Sequence, residues 1–199
     1  MKDVFKTLEN RQSNRNFTGK MVDYKIVREA IEKAQKTATH MNGQQISVVI
    51  TKDKETIKEI QKINWNQKHI ADASYIITFV VDYNKTLEAC RIANKEHVHH
   101  NDIESLLVGG IDAGLIAQSI ELILQSQGIG TCFLGLVRLE MLKVKELLNI
   151  DGLAFPVLSM AIGDVEDFEN DSSKLRPRMS YDSFIFDEKY DVKKVIDEV

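Results

Sequence analysis

The first candidates for chemistry in this sequence are two arginines near its start, Arg11 and Arg15, which flank Ser13 in the stretch RQSNRNF. A guanidinium group offers a planar set of donors that matches the oxygens of a phosphate group. The amphipathic pattern of residues 1–10 predicts a helix. If that helix continues through residues 10–15, the two arginines lie one turn apart on one side, with the serine offset.

A second pair of arginines, Arg176 and Arg178, flanks Pro177 in the stretch KLRPR. Proline fixes its own φ and disfavours a helical conformation in the preceding residue, so this stretch is predicted to be extended and rigid. Surface ion pairing is the ordinary explanation for either pair alone. If the two stretches converge in the fold, however, four arginines and a serine form a phosphate-binding site.

Other catalytic and metal-binding patterns are missing from the sequence. It contains no GxxxxGK[ST] loop, no GxGxxG after a strand, no HExxH and no GxSxG. Cys90 and Cys132 lie in apolar contexts without CxxC spacing, which predicts inert thiols. His97, His99 and His100 are predicted to belong to a polar loop, because no second cluster completes a metal site.

Composition predicts a cytoplasmic protein with one domain over residues 1–199. The formal net charge of -4 argues against nucleic acid and anionic membranes as partners, because both favour a basic surface. No uninterrupted apolar stretch approaches the roughly 20 residues that a membrane span needs. The first ten residues lack the apolar core of a signal peptide.

Hydrophobic periodicity predicts that helices and strands interleave, which gives a sheet between helical layers. Strands are predicted over 46–51, 75–81, 131–135 and 155–163, and helices over 23–38, 53–63, 84–94, 102–127 and 138–149. The longest helix contains Gly109, Gly110 and Gly114, which indicate close approach of a ligand or another helix, or tight packing within the monomer. Aromatic residues in the last 20 positions indicate a tail that lies on another surface, such as that of a partner subunit.

Five stretches also resemble, in order, the motifs of one known family. RQSNRNF is similar to the R-x-S-x-R-x-[FY] opening of the nitroreductase family of FMN-dependent NAD(P)H oxidoreductases. HMNGQQI (40–46) stands where the family has a flavin-contacting loop, and residues 65–82 resemble the G-Q-K-H-[IV]-A-x-A block of the oxygen-insensitive major nitroreductase and NADPH-flavin oxidoreductase branch. GIGTCFLG (128–135) resembles the strand before the flavin N5 contact, and PVLSMAIG with KLRPR resembles the last core strand and the phosphate-binding element.

The resemblance implies a set of FMN-binding residues. Arg11, Arg176 and Arg178 would hold the phosphate and Ser13 the phosphate–ribityl region, while Arg15 would contact either the phosphate or the flavin N1/O2 edge. The backbone amides of Leu134 and Gly135 would approach N5. The complete set implied is Arg11, Gln12, Ser13, Arg15, His40, Met41, Asn42, Gln44, Gln67, Leu134, Gly135, Arg176 and Arg178. No side chain is assigned a catalytic role, because the cofactor carries the chemistry.

The resemblance also implies a fold and a reaction. The fold would be α+β, with a central, mostly antiparallel sheet flanked by helices and a C-terminal extension exchanged with the partner subunit of a homodimer. FMN would lie at the dimer interface and pass hydride from NADH or NADPH through N5 to small electron-poor acceptors (nitro compounds, quinones or flavins) by a ping-pong mechanism, without a metal. A flavin-binding sensor or storage protein and a non-flavin phosphate-binding module are the alternatives. Leu136 replaces a glycine that is common in the family, and the 40–44 loop lacks the usual serines.

Overall fold

The computed structural model describes residues 3–96, 103–166 and 176–198. Its centre is a four-stranded antiparallel sheet with the strand order β1-β2-β4-β3. The strands are β1 (Ile46–Thr51), β2 (Tyr75–Asp82), β3 (Gly130–Leu134) and β4 (Ala154–Gly163). All four predicted strands are confirmed, and the α+β class with an antiparallel sheet is confirmed with them.

The helices surround this sheet. They are α1 (Val4–Glu9), α2 (Tyr24–Ala34), α3 (Lys54–Ile63), α4 (Lys68–Ala71), α5 (Asn84–Ile92), α6 (Ile103–Gln125), α7 (Met141–Leu147) and α8 (Val192–Ile196). Asp23 and Asp53 cap α2 and α3, because each carboxylate accepts a hydrogen bond from a backbone N–H of the first turn. The predicted helix over 138–149 is shorter than expected, since residues Leu136–Arg138 form a separate 3-10 turn.

Two buried clusters lie on opposite faces of the sheet. Successive side chains of a strand point to opposite faces. Ile77 and Met160 therefore join α2 and α6 in one cluster, while Ile76 and Ala161 join α3 and α4 in the other. Phe17 also belongs to the second cluster. The end of the N-terminal stretch that follows Arg15 is thus tied to the α3–α4 side of the sheet.

The long helix α6 has one buried side and one open side. Within the described ranges it is the one helix long and apolar enough to cross a membrane by length and composition. Ile116, Ile120 and Leu124 pack in the core of this fold, as in the central helix of a globular protein. A Cβ at Gly109 would lie 2.5 Å from Cγ1 of Val81, so this glycine permits close packing on β2. A Cβ at Gly110 or at Gly114 would meet no heavy atom of the described chain within 4 Å.

Candidate functional site

Residues 11–18 form an extended segment along the outer edge of β3. Helix α1 ends at Glu9. The backbone N–H and the side-chain Nδ2 of Asn10 both donate to the Lys6 carbonyl. The Asn14 N–H donates to the Thr131 carbonyl at 2.8 Å, and the Thr131 N–H donates to Asn14 Oδ1 at 3.1 Å. The helix therefore does not continue through residues 10–15, and the condition for the two arginines to lie one turn apart on a helix is not met, because contacts with β3 hold the segment extended.

The extended segment nevertheless places its arginines on one side. Gln12 and Asn14 are buried, whereas Arg11 and Ser13 are half-buried and Arg15 is exposed. This alternation follows the two-residue period of extended backbone. The two guanidinium groups and the serine hydroxyl thus share the outward side by strand geometry instead of helix geometry.

Arg11 is paired with a buried carboxylate of α6. Its Nη1 donates to Oε1 of Glu121 at 3.3 Å, and the side chains are 23% and 1% exposed. Burial raises the pKa of Glu121, although the charge of Arg11 and hydrogen bonds from Gln118 and Thr131 act in the opposite direction. Glu121 was not selected from the sequence, where it is one of three acids in an otherwise apolar helix.

Helix α4 brings Gln67 to the same region as Arg15. Gln67 is the N-terminal cap residue of α4, and its carbonyl accepts a hydrogen bond from Gln61. His69, the second residue of the helix, is 6% exposed, and its Nε2 has no hydrogen-bond partner among the described residues. Burial and then the charge of Arg15 lower the pKa of His69, whose ring centroid lies 6.2 Å from that of Phe17. Gln67, which was predicted from the family block, thus lies on an element packed against the arginine-bearing segment.

The end of β3 lies on the same side of the sheet. Leu134 is buried in the cluster that contains Phe17 and Ile70 of α4. Gly135 follows in the turn, and a Cβ there would lie 3.2 Å from Nη2 of Arg138. Arg138 Nη1 donates to the Val157 carbonyl at 3.1 Å. The sequence analysis did not select Arg138, which lies directly beside one of the predicted flavin-contacting amides.

The 40–44 loop has an unusual backbone. Met41, Asn42 and Gln44 have φ values of 50°, 56° and 50°, in the left-handed region that non-glycine residues rarely occupy. The loop is anchored to α6, because the His40 N–H donates to both carboxylate oxygens of buried Asp112 at 3.1 and 3.2 Å. Met41 of this loop is 89% exposed.

The second arginine stretch is described only from Arg176 onward. Arg176 and Arg178 are exposed, and no described hydrogen bond or ion pair joins them to the first pair. Their convergence with Arg11 and Arg15 therefore stays a prediction. In the same tail, the Ser180 N–H donates to Glu198 at 2.7 Å.

The remaining candidates give no second site in the described parts of the chain. His97, His99 and His100 lie outside the described residues. Elsewhere, within 3–96, 103–166 and 176–198, no three His, Cys, Asp or Glu side chains are grouped to hold a metal ion. Cys132 is buried and burial raises its pKa, while Cys90 is half-buried; both are free cysteines.

Comparison with known proteins identifies the family. The family model described as "Nitroreductase family" matches residues 8–164. An NADPH-dependent oxidoreductase of Staphylococcus saprophyticus is 31% identical over 196 residues, covering 96% of this chain and 75% of the relative. The structure of Bacillus megaterium NfrA2 superposes with a TM-score of 0.90 at 28% identity and covers 99% of this chain and 80% of its own.

Two further structures agree with this result. The hypothetical oxidoreductase YcnD from Bacillus subtilis has a TM-score of 0.92 at 28% identity, and the match covers 100% of this chain and 79% of that one. The NADPH:FMN oxidoreductase from Vibrio harveyi shares the fold, with a TM-score of 0.84 at 21% identity and coverage of 98% and 82%. The chain therefore belongs to the nitroreductase family.

Proposed function

We propose that the protein is an FMN-dependent oxidoreductase that takes hydride from NADH or NADPH and delivers it to nitro compounds, quinones or flavins by a ping-pong mechanism. Family membership and the NADPH-dependent oxidoreductase relatives support the cofactor and the class of reaction. The observation that carries the proposal is the alternation of residues 11–15, which presents two arginines and a serine on one side of an extended segment.

The donors of this segment fit the 5′-phosphate of FMN. A phosphate monoester has three oxygens that accept charge-assisted hydrogen bonds, and each such bond contributes roughly 1.5–3 kcal/mol. Arg11 and Arg15 supply guanidinium donors and Ser13 a hydroxyl, in a chain whose formal net charge is -4. We propose that Arg176 and Arg178 complete the phosphate site from the tail.

The ring of the flavin would lie between the other elements of the site. FMN, when bound, supplies the hydride-accepting N5 atom of its isoalloxazine ring. Gln67 and the 40–44 loop (His40, Met41, Asn42 and Gln44) would cover the ring, and the amides of Leu134 and Gly135 would donate toward it. Gln12 holds the segment in place, because its carbonyl accepts a hydrogen bond from Gln125 Nε2 at 2.7 Å. These residues bind and orient, and no side chain is assigned an acid or base role.

We also propose that the functional unit is a homodimer. The outward side of α6 carries a shallow apolar cleft lined by Ile103, Leu106, Leu107, Gly110 and Ile111. The tail also exposes large apolar side chains, among them Tyr181, Phe184 and Tyr190. A second copy of the chain would cover both surfaces, with the tails exchanged between subunits, because large exposed apolar patches mark interaction sites.

Cofactor content and retention test the FMN assignment. The purified protein is expected to be yellow and to release FMN on denaturation, whereas a colourless protein that FMN does not stabilise contradicts the proposal. Replacement of Arg178 by alanine should raise the Kd for FMN by about 10- to 150-fold, which corresponds to the loss of one charge-assisted hydrogen bond. Arg28→Ala is the matched control, because Arg28 is exposed and pairs with Glu32 on α2 at 2.9 Å. Unchanged FMN binding by Arg178→Ala refutes its assignment.

Stopped-flow mixing with NADH and NADPH separates an enzyme from a flavin-binding sensor or storage protein. Rapid bleaching of the flavin absorbance, followed by recovery on addition of an acceptor, is expected. Persistent colour with both donors would support the sensor or storage alternative. Steady-state rates at several acceptor concentrations should give parallel double-reciprocal lines, and intersecting lines would exclude the ping-pong mechanism.

A further inference from the structure

We propose that Glu121 is a positioning residue that orients the Arg11 guanidinium toward the cofactor phosphate, so that the protein discriminates FMN from riboflavin. The inference rests on the proposed FMN-binding function and deepens it. The Glu121 carboxylate is 1% exposed and contacts the Arg11 side chain, which is 23% exposed. Glu121 is therefore buried in the core, and Arg11 lies between it and the surface.

The carboxylate of Glu121 is held by three donors. Oε2 accepts from Gln118 Nε2 at 2.9 Å, and Oε1 accepts from Arg11 Nη1 and from Thr131 Oγ1, both at 3.3 Å. Gln125 Nε2 also approaches Oε1 at 3.4 Å. These contacts come from α6, from β3 and from the segment after α1, so the position of the carboxylate is fixed from three sides.

The same network fixes the backbone beside Arg11. Gln125 Nε2 donates to the Gln12 carbonyl at 2.7 Å and to Thr131 Oγ1 at 2.7 Å, while the Gln12 N–H approaches Gln125 Oε1 at 3.3 Å. Both backbone groups of Thr131 also bond to Asn14: the carbonyl accepts from the Asn14 N–H, and the N–H donates to Asn14 Oδ1. Backbone and side chain of Arg11 are therefore both anchored to one buried polar cluster.

The chemistry of arginine makes this arrangement useful for binding. A guanidinium has five N–H donors in a fixed plane, and Glu121 engages Nη1, which leaves donors on the exposed edge for an anion. A side chain that is already oriented loses less conformational entropy on binding. Leaving a buried carboxylate without its partner is costly, which keeps Arg11 in this pose in the absence of ligand. Glu121 thus lowers the positive potential at the anion site but fixes the orientation of the Arg11 guanidinium.

The test compares binding of FMN with binding of riboflavin, which lacks the phosphate. Full-length Glu121→Leu and Glu121→Gln variants are titrated with both ligands, with Glu104→Gln as the control, because Glu104 is exposed in the first turn of the same helix. We expect the Kd for FMN to rise at least tenfold in Glu121→Leu and about threefold or more in Glu121→Gln. The Kd for riboflavin should change less than twofold, and Glu104→Gln should behave as wild type.

Three results would overturn the proposal. Tighter FMN binding by Glu121→Gln would mean that the carboxylate only lowers the positive potential. Equal weakening of FMN and riboflavin would mean a general structural role. In an Arg11→Ala background, Glu121→Leu should change FMN affinity less than twofold, and a larger change would show that Glu121 acts without Arg11. If Glu121→Leu does not fold, Glu121→Gln carries the comparison alone. A wild-type protein that binds no FMN would instead refute the proposed function, and the positioning role with it.

Discussion

Gly163→Ala is expected to weaken FMN binding by displacing the segment that carries the arginines. A Cβ at Gly163, the last residue of β4, would lie 2.5 Å from both Cγ and Cδ1 of Phe17. Carbon atoms pack best at about 3.5–4.0 Å, so the ring must retreat by roughly 1 Å. Overpacking of this kind costs about 1–3 kcal/mol of stability.

The displacement of Phe17 is expected to move the residues that precede it, because Thr18 on its other side is held in place. The Thr18 N–H donates to the Asp164 carbonyl at 3.0 Å, and Thr18 Oγ1 donates to Asp164 Oδ2 at 2.7 Å. A shift of roughly 1 Å at Arg15 takes a hydrogen bond outside its favourable range. The loss of one charge-assisted bond, about 1.5–3 kcal/mol, raises the Kd for FMN at least tenfold.

Isothermal titration with FMN and urea unfolding of the apoprotein measure the two effects separately. Gly152→Ala is the matched control, because its Cβ would clash with Asn84 and its φ of 65° disfavours alanine. It precedes β4 at the end opposite Gly163, about 35 Å away at strand spacing. Gly152→Ala should lower stability without changing FMN affinity. Equal FMN binding by Gly163→Ala and wild type, at reduced stability, would refute the inference that Phe17 sets the position of the arginines.

Three further predictions concern other parts of the fold. Gly110→Ala and Gly114→Ala should raise the dimer dissociation constant measured by sedimentation velocity, because both glycines face the open side of α6; unchanged association would contradict the proposed interface. Trp65 is the only tryptophan, is 72% exposed and lies two residues before Gln67, so its fluorescence should be quenched on FMN binding; undiminished emission in the FMN-saturated protein would count against the placement of Gln67. The folded-state pKa of His69 lies below its unfolded value, so the unfolded state binds the proton more readily and the free energy of unfolding should fall as pH drops below about 6.5. Urea titrations of the apoprotein at pH 7.5 and 5.5 should show this fall in wild type and a smaller one in His69→Gln, and parallel behaviour of the two proteins would exclude it.

Local patterns predicted the sheet because its strands are apolar and short. Residues 75–81 are apolar except for Thr78, and the structure places this strand inside the sheet between β1 and β4. Pro156 lies near the start of the last strand, where its missing N–H does little harm. It pairs with Val80 next to a register shift, and β3 covers only residues 159–163 of β4. For these elements the local sequence and the tertiary environment favour the same structure.

The candidate site was less predictable because long-range contacts determine its geometry. The helical pattern of α1 gives no sign that the chain becomes extended after Asn10, since Gln125 and Thr131, more than 110 residues away, supply the partners. Glu121 and Asp112 are isolated along an apolar helix with no acidic neighbour in the sequence, and only the fold shows that they anchor Arg11 and the 40–44 loop. In the glycine cluster of α6, the packing of Gly109 on Val81 confirms tight packing within the monomer at that position, while close approach of another chain or a ligand at the two outward-facing glycines stays a prediction.

The position of β3 links stability to the proposed cofactor site. An edge strand has unpaired backbone groups that must be covered, and here residues 11–18 cover part of that edge. The segment is held there by Asn14, Gln12 and Phe17, and these contacts also fix the side to which Arg11, Ser13 and Arg15 point. A ligand that binds only the folded state stabilises that state through mass action. A ligand bound to residues 11–18 should stabilise the β3 edge more than other parts of the sheet. FMN should therefore slow amide hydrogen exchange at Thr131 and Phe133 more than at the β1 edge, since the phosphate and the edge share one segment.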